Sequence, residues 1–165
     1  MQMGPHHMVE VRTISTVDEW KALAGQEVGV SGWLLITQER VNAFADATGD
    51  HQWIHVDIER AKASPQGGTI AHGYLTLSLL PMLRGHEWSG VNIDIGSKMV
   101  INYGSNRVRF VSPVPVGKRI RLRSQLMSVD EVSPGVYQSV SRATIEIEGQ
   151  DRPAMVAETV GRTYV

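Results

Sequence analysis

Asp50 and His55, five residues apart, are the residues of this 165-residue chain best suited to moving protons between small molecules. They lie in the stretch Gly49-Asp50-His51-Gln52-Trp53-Ile54-His55-Val56-Asp57. A carboxylate and an imidazole carried on one loop can converge on a single substrate. Adding water across a carbon–carbon double bond, or removing it, needs such a pair: one group takes a proton from water while another returns a proton to the neighbouring carbon. Gln52 can hold that water or orient His55 through its amide. The plainer alternative is that Asp50 caps a following turn and His55 is an ordinary hydrogen-bonded loop residue. His51 reads as solvent-exposed, and Asp57 as the cap of a segment that starts at Ile58.

A second candidate stretch is Gly67-Gly68-Thr69-Ile70-Ala71-His72-Gly73. A glycine at a helix start leaves its N–H unshielded, and the first turn of a helix favours negative charge. Gly73 N–H is therefore a candidate donor to the enolate-like oxygen of a polarised thioester. Close packing or a tight turn explains the same glycine equally well. His72 reads as a capping or core histidine, with a second base as the alternative.

These residues need elements to position them. Thr16 or Ser15 can cap a short helix through Trp20 and Leu23, which Gly25 ends. Val28 to Leu35 reads as one strand. Thr37 is an N-cap for a helix with Val41, Phe44, Ala45 and Thr48 on one face, and Gly49 supplies its left-handed end just before Asp50. After a loop of small residues from Ala61 to Thr69, an apolar helix starts at His72 or Gly73. Tyr74, Leu75, Leu77, Leu79, Leu80, Met82 and Leu83 leave it almost no polar face, so it should be buried on most sides, and Pro81 should bend or end it. The first half otherwise reads as helical. The second half reads as β: Lys98–Tyr103, Asn106–Val111, Arg119–Asp130, Val136–Glu148 and Ala154–Val165. Ser133-Pro134-Gly135 is a turn between two of these strands. In Arg119–Leu126, Ile120, Leu122 and Leu126 face one way and Arg119, Arg121 and Arg123 the other, the arginines forming a solvated face. Met82, Met99 and Met127 read as core filler. The implied fold is α+β, a curved antiparallel sheet wrapped around one central apolar helix.

Composition narrows the functions available. A net charge of −1 gives no field for nucleic acid or an anionic membrane. No apolar run approaches the ~18–20 residues of a membrane span. The chain has no cysteine, which excludes disulfides, thiolate metal sites and a cysteine nucleophile, and fits a cytoplasmic location. The histidines show no convincing metal-ligand spacing, and there is no phosphate loop or dinucleotide fingerprint. Met1–Met8 reads as an N-terminal extension, an upstream start or an expression remnant. Residues 9–165 read as one domain.

Taken together, the motifs resemble those of the MaoC-like dehydratases, the (R)-specific enoyl-CoA hydratases of the hot-dog fold. Gly49, Asp50, His55 and Asp57 match the family's Gly-Asp-x-Asn-Pro-x-His-x-Asp pattern. Ala71-His72-Gly73 matches the Ala/Val-His-Gly that opens its central helix. Asn102-Tyr103-Gly104, Asn106 and Val108-Arg109-Phe110, followed by Pro113-Val114-Pro115-Val116-Gly117, resemble the strand pair that closes its pocket. The similarity runs from about Gly32 to the end of the chain. One departure stands out: Gln52-Trp53 replaces Asn-Pro, which keeps an amide, loses rigidity and adds bulk near the acyl path.

The resemblance implies that Asp50 and His55 activate one water and that Gly73 N–H polarises the thioester carbonyl. The product would be an (R)-3-hydroxyacyl-CoA. No metal or separate cofactor is implied, coenzyme A being part of the acyl-CoA substrate. A homodimer is implied too, with the CoA cleft between subunits and Gln52, Tyr103, Asn106 and Arg109 as candidate substrate contacts. A hot-dog acyl-CoA thioesterase and a non-catalytic acyl-binding subunit of a dehydratase complex are the alternative readings.

Overall fold

The computed structural model describes residues 11–165, so the Met1–Met8 extension lies outside the described residues. In chain order the elements are β1 (Val11–Ile14), α1 (Val17–Ala22), β2 (Glu27–Val30), β3 (Leu34–Leu35), α2 (Gln38–Thr48), α3 (Trp53–Val56), α4 (Ile58–Lys62), α5 (Gly73–Ser78), α6 (Leu80–Gly85), β4 (Ser89–Ile93), β5 (Met99–Phe110), β6 (Arg119–Ser133), β7 (Val136–Ile147) and β8 (Met155–Tyr164). The eight strands form one sheet in the order β1-β4-β2-β6-β7-β8-β5, with β3 paired to β6. All pairings are antiparallel except that of β1 with β4.

Burial of the central apolar segment organises this sheet. Leu75, Leu79 and Leu83 recur every four residues and are each at most 7% exposed. They pack with Ile120, Leu122, Ile145, Ile147 and Met155 from three neighbouring strands and with Val41 of α2. A second cluster joins Trp20 and Leu23, around α1, to Val28, Leu126 and Val129 at the far end of the sheet. The α1 helix begins with a full capping box, in which Thr16 and Glu19 satisfy each other's backbone N–H groups.

Several expectations are corrected. The central helix is two short helices; it breaks at Leu79, and Pro81 sits in the first turn of α6, where its missing N–H costs nothing. Val28–Leu35 is two strands rather than one. At Ser31 the chain leaves the ladder, the Ser31 hydroxyl accepts from Leu122 N at 2.9 Å, and Gly32 packs against Glu87 where a side chain would collide. Lys98–Tyr103 and Asn106–Val111 are one strand, β5, because bulges at Asn102/Gly104 and Ser105/Arg107 absorb the residues that look like breaks. Ahead of the expected β segments the chain also forms β1 and β4, strands of four and five residues too short to show a period. Ala61 and Lys62 belong to α4 and not to a loop.

Met82 and Met99 are 44% and 49% exposed, and the core methionine is Met155. Met82 instead takes a hydrogen bond from Arg40 on its sulfur at 3.2 Å. The arginine row of β6 does face away from the core, but it is ion-paired across strands. Arg119 pairs with Glu148, Arg121 with Glu146 at 2.6 Å, and Arg123 with both Glu146 and Glu27. Pro134-Gly135 turns as expected, with Gly135 at φ 72°. Among the described residues, no helix is long and apolar enough to cross a membrane.

Candidate active site

Three segments converge beside the first turn of α5. The first is the end of α2. Thr37 caps that helix by accepting from Arg40 N at 3.2 Å, and Gly49 ends it in the left-handed region at φ 78°. Asp50 therefore leaves the helix at a sharp reversal, with its side chain exposed. The second is α3, a single turn that was expected to be loop; it carries His55 inward, to 6% exposure. The third is the strand-like entry to α5, where Ile70 bridges Pro115 and leads to His72 and Gly73.

Hydrogen bonds to carbonyl oxygens assign both imidazole tautomers. His55 Nδ1 lies 2.7 Å from Ile70 O. A carbonyl only accepts, so Nδ1 carries the proton and Nε2 keeps its lone pair. By the same argument His72 donates from Nε2 to Asp50 O at 2.9 Å. His72 Nδ1 is then a buried lone pair with no partner among the described residues. The two rings stack at 3.8 Å between centroids, 26° from parallel. Burial holds the His55 imidazole below its usual pKa, and the neighbouring His72 adds to this against the opposing pull of Ile70 O and Asp50. At neutral pH His55 is thus a neutral base. His51 shows the contrary case: exposed, and bonded to Asp46 at 2.8 Å, it is held above the usual value.

One ligand atom from each of Asp50, His55 and His72 lies within 4.8 Å of the others. Two histidines and a carboxylate are a recognised metal set. The fit here is poor: lone pairs of nearly parallel stacked rings run side by side and do not converge on one ion. The arrangement suits proton transfer better than coordination.

A cavity of about 300 Å³ opens against His55, bounded by Ala71, Gly73, Thr76, Phe110 and Pro113. Gly73 is the first residue of α5, and no acceptor for its N–H is found among the described residues. A Cβ at this position would meet the Phe110 ring at 2.8–3.0 Å, so the close approach of helix and strand requires glycine.

Asp50, His55 and Gly73 are thus brought together. Gln52 is beside them, but differently from expectation: its side chain is exposed and makes no hydrogen bond to His55 among the described residues. Its backbone contributes instead, the carbonyl accepting from His55 N at 2.9 Å and the N–H reaching toward Asp50 Oδ1 at 3.4 Å. Trp53 lies under the Arg60 guanidinium at 4.3 Å. Tyr103, Asn106 and Arg109 do not line this cavity. They are exposed on β5, where Tyr103 stacks with Arg162 and Arg109 bonds Val108 O. His72 stands as expected, at the N-cap position of α5 and buried in the core. One residue at the site escaped the sequence reading. Gln38 carried no signal; it donates to His55 O at 2.8 Å and accepts from Thr69, joining α2 to both other segments.

Comparison with known proteins gives the family of the chain. Residues 19–148 match the family model described as the MaoC like domain. The chain belongs to this family. It is 53% identical over 152 residues to 3-hydroxyacyl-thioester dehydratase Z of Mycobacterium tuberculosis, covering 92% of this chain and 98% of that one. It is 43% identical to Nodulation protein N of Rhizobium meliloti, over 88% and 89% of the two chains. Among solved structures, the (R)-hydratase from A. caviae superimposes with a TM-score of 0.66 at 24% identity, over 84% of this chain and 94% of that one. A MaoC-like dehydratase from Rhodospirillum rubrum does so at 0.67 and 17%, over 86% and 92%. The fold is the hot-dog fold of these proteins, and the chain is a hydro-lyase of the MaoC-like family.

Two outcomes follow from the packing and the tautomers. In an NMR titration of the imidazole nitrogens, His55 should protonate below the ordinary value of 6.5 and His51 above it, with His55 in the Nδ1–H form; the reverse order would contradict the hydrogen bonds above. Gly73→Ala should destabilise the MaoC-like chain by about 1–3 kcal/mol in urea unfolding, as an overpacked contact does, because the whole Phe110 ring must move.

Proposed function

We propose that this MaoC-like enzyme is an (R)-specific 3-hydroxyacyl-thioester hydratase/dehydratase, acting on trans-2-enoyl-CoA through Asp50 and His55. The observation that carries the reading is the free Nε2 lone pair of a neutral His55, held between an exposed carboxylate and the Gly73 cavity. The relative at 53% identity is a 3-hydroxyacyl-thioester dehydratase, which supports the thioester substrate.

In the hydration direction, water oxygen bonds to C3 of the enoyl group as its proton passes to the Asp50/His55 pair. Electron density moves to the thioester oxygen, where Gly73 N–H receives it. The pair then returns a proton to C2. Dehydration runs the same steps backwards. Asp50 and His55 act as a coupled pair that holds one water. Atoms balance and no electron is transferred, so the reaction calls for no redox cofactor, and coenzyme A enters as part of the substrate.

The reading includes a homodimer. On β5, one edge is bonded to β8 and the other is free within the described residues, an arrangement soluble proteins normally cover. Met99, Val100, Tyr103 and Phe110 on this strand, with nearby Tyr74, are 44–69% exposed. A second copy on this edge would cover them and place Tyr103, Asn106 and Arg109 along a shared CoA cleft.

Crotonyl-CoA should be hydrated with loss of its enone absorbance and formation of the (R) product. Asp50→Asn and His55→Gln should each lower kcat by about 10²–10⁴-fold. Near wild-type rates in both variants would refute the mechanism, and release of free CoA thiol in place of hydration would make the enzyme a thioesterase. Light scattering should give twice the 18.2 kDa chain mass, falling toward one chain in Val100→Glu; a monomeric wild type would remove the shared cleft.

A further inference from the structure

A second cavity, of about 500 Å³, lies at the opposite end of the central helical segment, between α6 and the inner face of the sheet. Its lining differs in chemistry from the apolar site around Gly73. Ser124 of β6, Ser139 and Ser141 of β7 and Thr159 of β8 bring hydroxyls to it. Arg84 of α6 stands among them and donates from Nη2 to Ser124 Oγ at 3.2 Å. No carboxylate lies within ion-pair distance of Arg84 among the described residues, whereas Arg119, Arg121 and Arg123 all have glutamate partners. The residue lines the cavity and is exposed. The surrounding protein nonetheless desolvates the guanidinium enough to pull its pKa down, with no opposing charge to restore it. Beyond Ser124 its neighbour is the Trp88 ring, 5.9 Å away, and a guanidinium without a carboxylate partner is shaped to receive one through two hydrogen bonds.

We propose that this cavity is a subsite for a carboxylate at the far end of the substrate's acyl chain, with Arg84 as the cation that receives it. The inference rests on the thioester reading above and deepens it: the enzyme would favour long enoyl thioesters carrying an ω-carboxylate. Gly73 and Arg84 are eleven residues apart, about 16 Å at helical rise, so an acyl chain would have to be long to reach from one to the other. The two cavities share no lining residue, Thr76 bounding one and Leu80 the other. A crotonyl group is therefore too short to reach Arg84.

The test compares kcat/KM for a long-chain trans-2-enoyl-CoA with that for its ω-carboxy counterpart of equal length. Wild type should favour the ω-carboxy substrate by at least about tenfold, the scale of one charge-assisted hydrogen bond. Arg84→Met should reverse the preference and Arg84→Lys retain part of it. Should Arg84→Met not fold, Ser141→Val, which removes a hydroxyl from the same cavity, should reduce the preference. Equal kcat/KM for the two substrates in wild type would overturn the proposal. So would conversion of a dimer to a monomer by Arg84→Met, which would assign Arg84 to a partner's carboxylate. Inorganic phosphate or succinate that raises the melting temperature of wild type but not of Arg84→Met, without any ω-carboxy preference, would assign the cavity to a separate anion and also overturn it. Wild-type hydration of crotonyl-CoA tests the hydratase reading by itself, so failure of one is distinguishable from failure of the other.

Discussion

Leu75, Leu79 and Leu83 form an apolar ridge that must leave water, and one curved sheet of β6, β7 and β8 is what covers it. Each fully buried leucine contributes about 1.5–3 kcal/mol. The position of everything else follows from how this ridge is seated. Its N-terminal end meets Phe110 so closely that only glycine fits at residue 73, which sets the wall of the apolar cavity. One residue earlier, His72 reaches back to the Asp50 carbonyl and ties the end of α2 to the start of α5. Its C-terminal end carries Arg84 over the serine-rich part of the sheet. Core burial and site assembly are one constraint seen at different points along the two short helices α5 and α6.

The stacked imidazoles illustrate how this fold makes a base without a buried ion. Two histidines this close cannot both be charged cheaply, and neither faces a carboxylate in its ring hydrogen bond. Each is anchored to a main-chain carbonyl instead, which selects a tautomer without supplying a full charge. The consequence is a neutral His55 with one lone pair free, flanked by the exposed Asp50. A carboxylate in the place of Ile70 O would favour the protonated ring and work against its use as a base.

What could be read from the sequence was whatever depends on local geometry. Thr37 and Gly49 bound α2 as their types suggest, Pro134-Gly135 turns the chain, and the long strands β6, β7 and β8 show their alternation. The pairing of Asp50, His55 and Gly73 was legible through the order of three motifs rather than through any one of them. Contacts between residues distant in sequence were not. Gln38 serves His55 seventeen residues away, and a polar residue opening a helix looks the same whether or not it does so. The expectation that Gln52 orients His55 failed for a related reason: a one-turn helix formed at Trp53, leaving the Gln52 side chain in solvent and its carbonyl in use. Strand β1 is held by pairing with β4, and β4 by pairing with β2, and four or five residues hold too little pattern to announce that.

The inner face of the sheet is not apolar throughout, and this asymmetry separates the roles of its two ends. On β6, Ile120 and Leu122 meet the helix while Ser124, next in the same alternation, is buried to 1% exposure beside Arg84. On β7 the same change runs from Ile147 and Ile145 through Ala143 to Ser141 and Ser139. Ser124 is already fully enclosed, but leucine or valine at Ser139 and Ser141, which border the open space, would extend the core. A fold that only had to enclose its helix would gain from that exchange. Hydroxyls and an unpaired guanidinium around an open space forgo it, and such a departure from the best core is expected where a polar ligand group must be received.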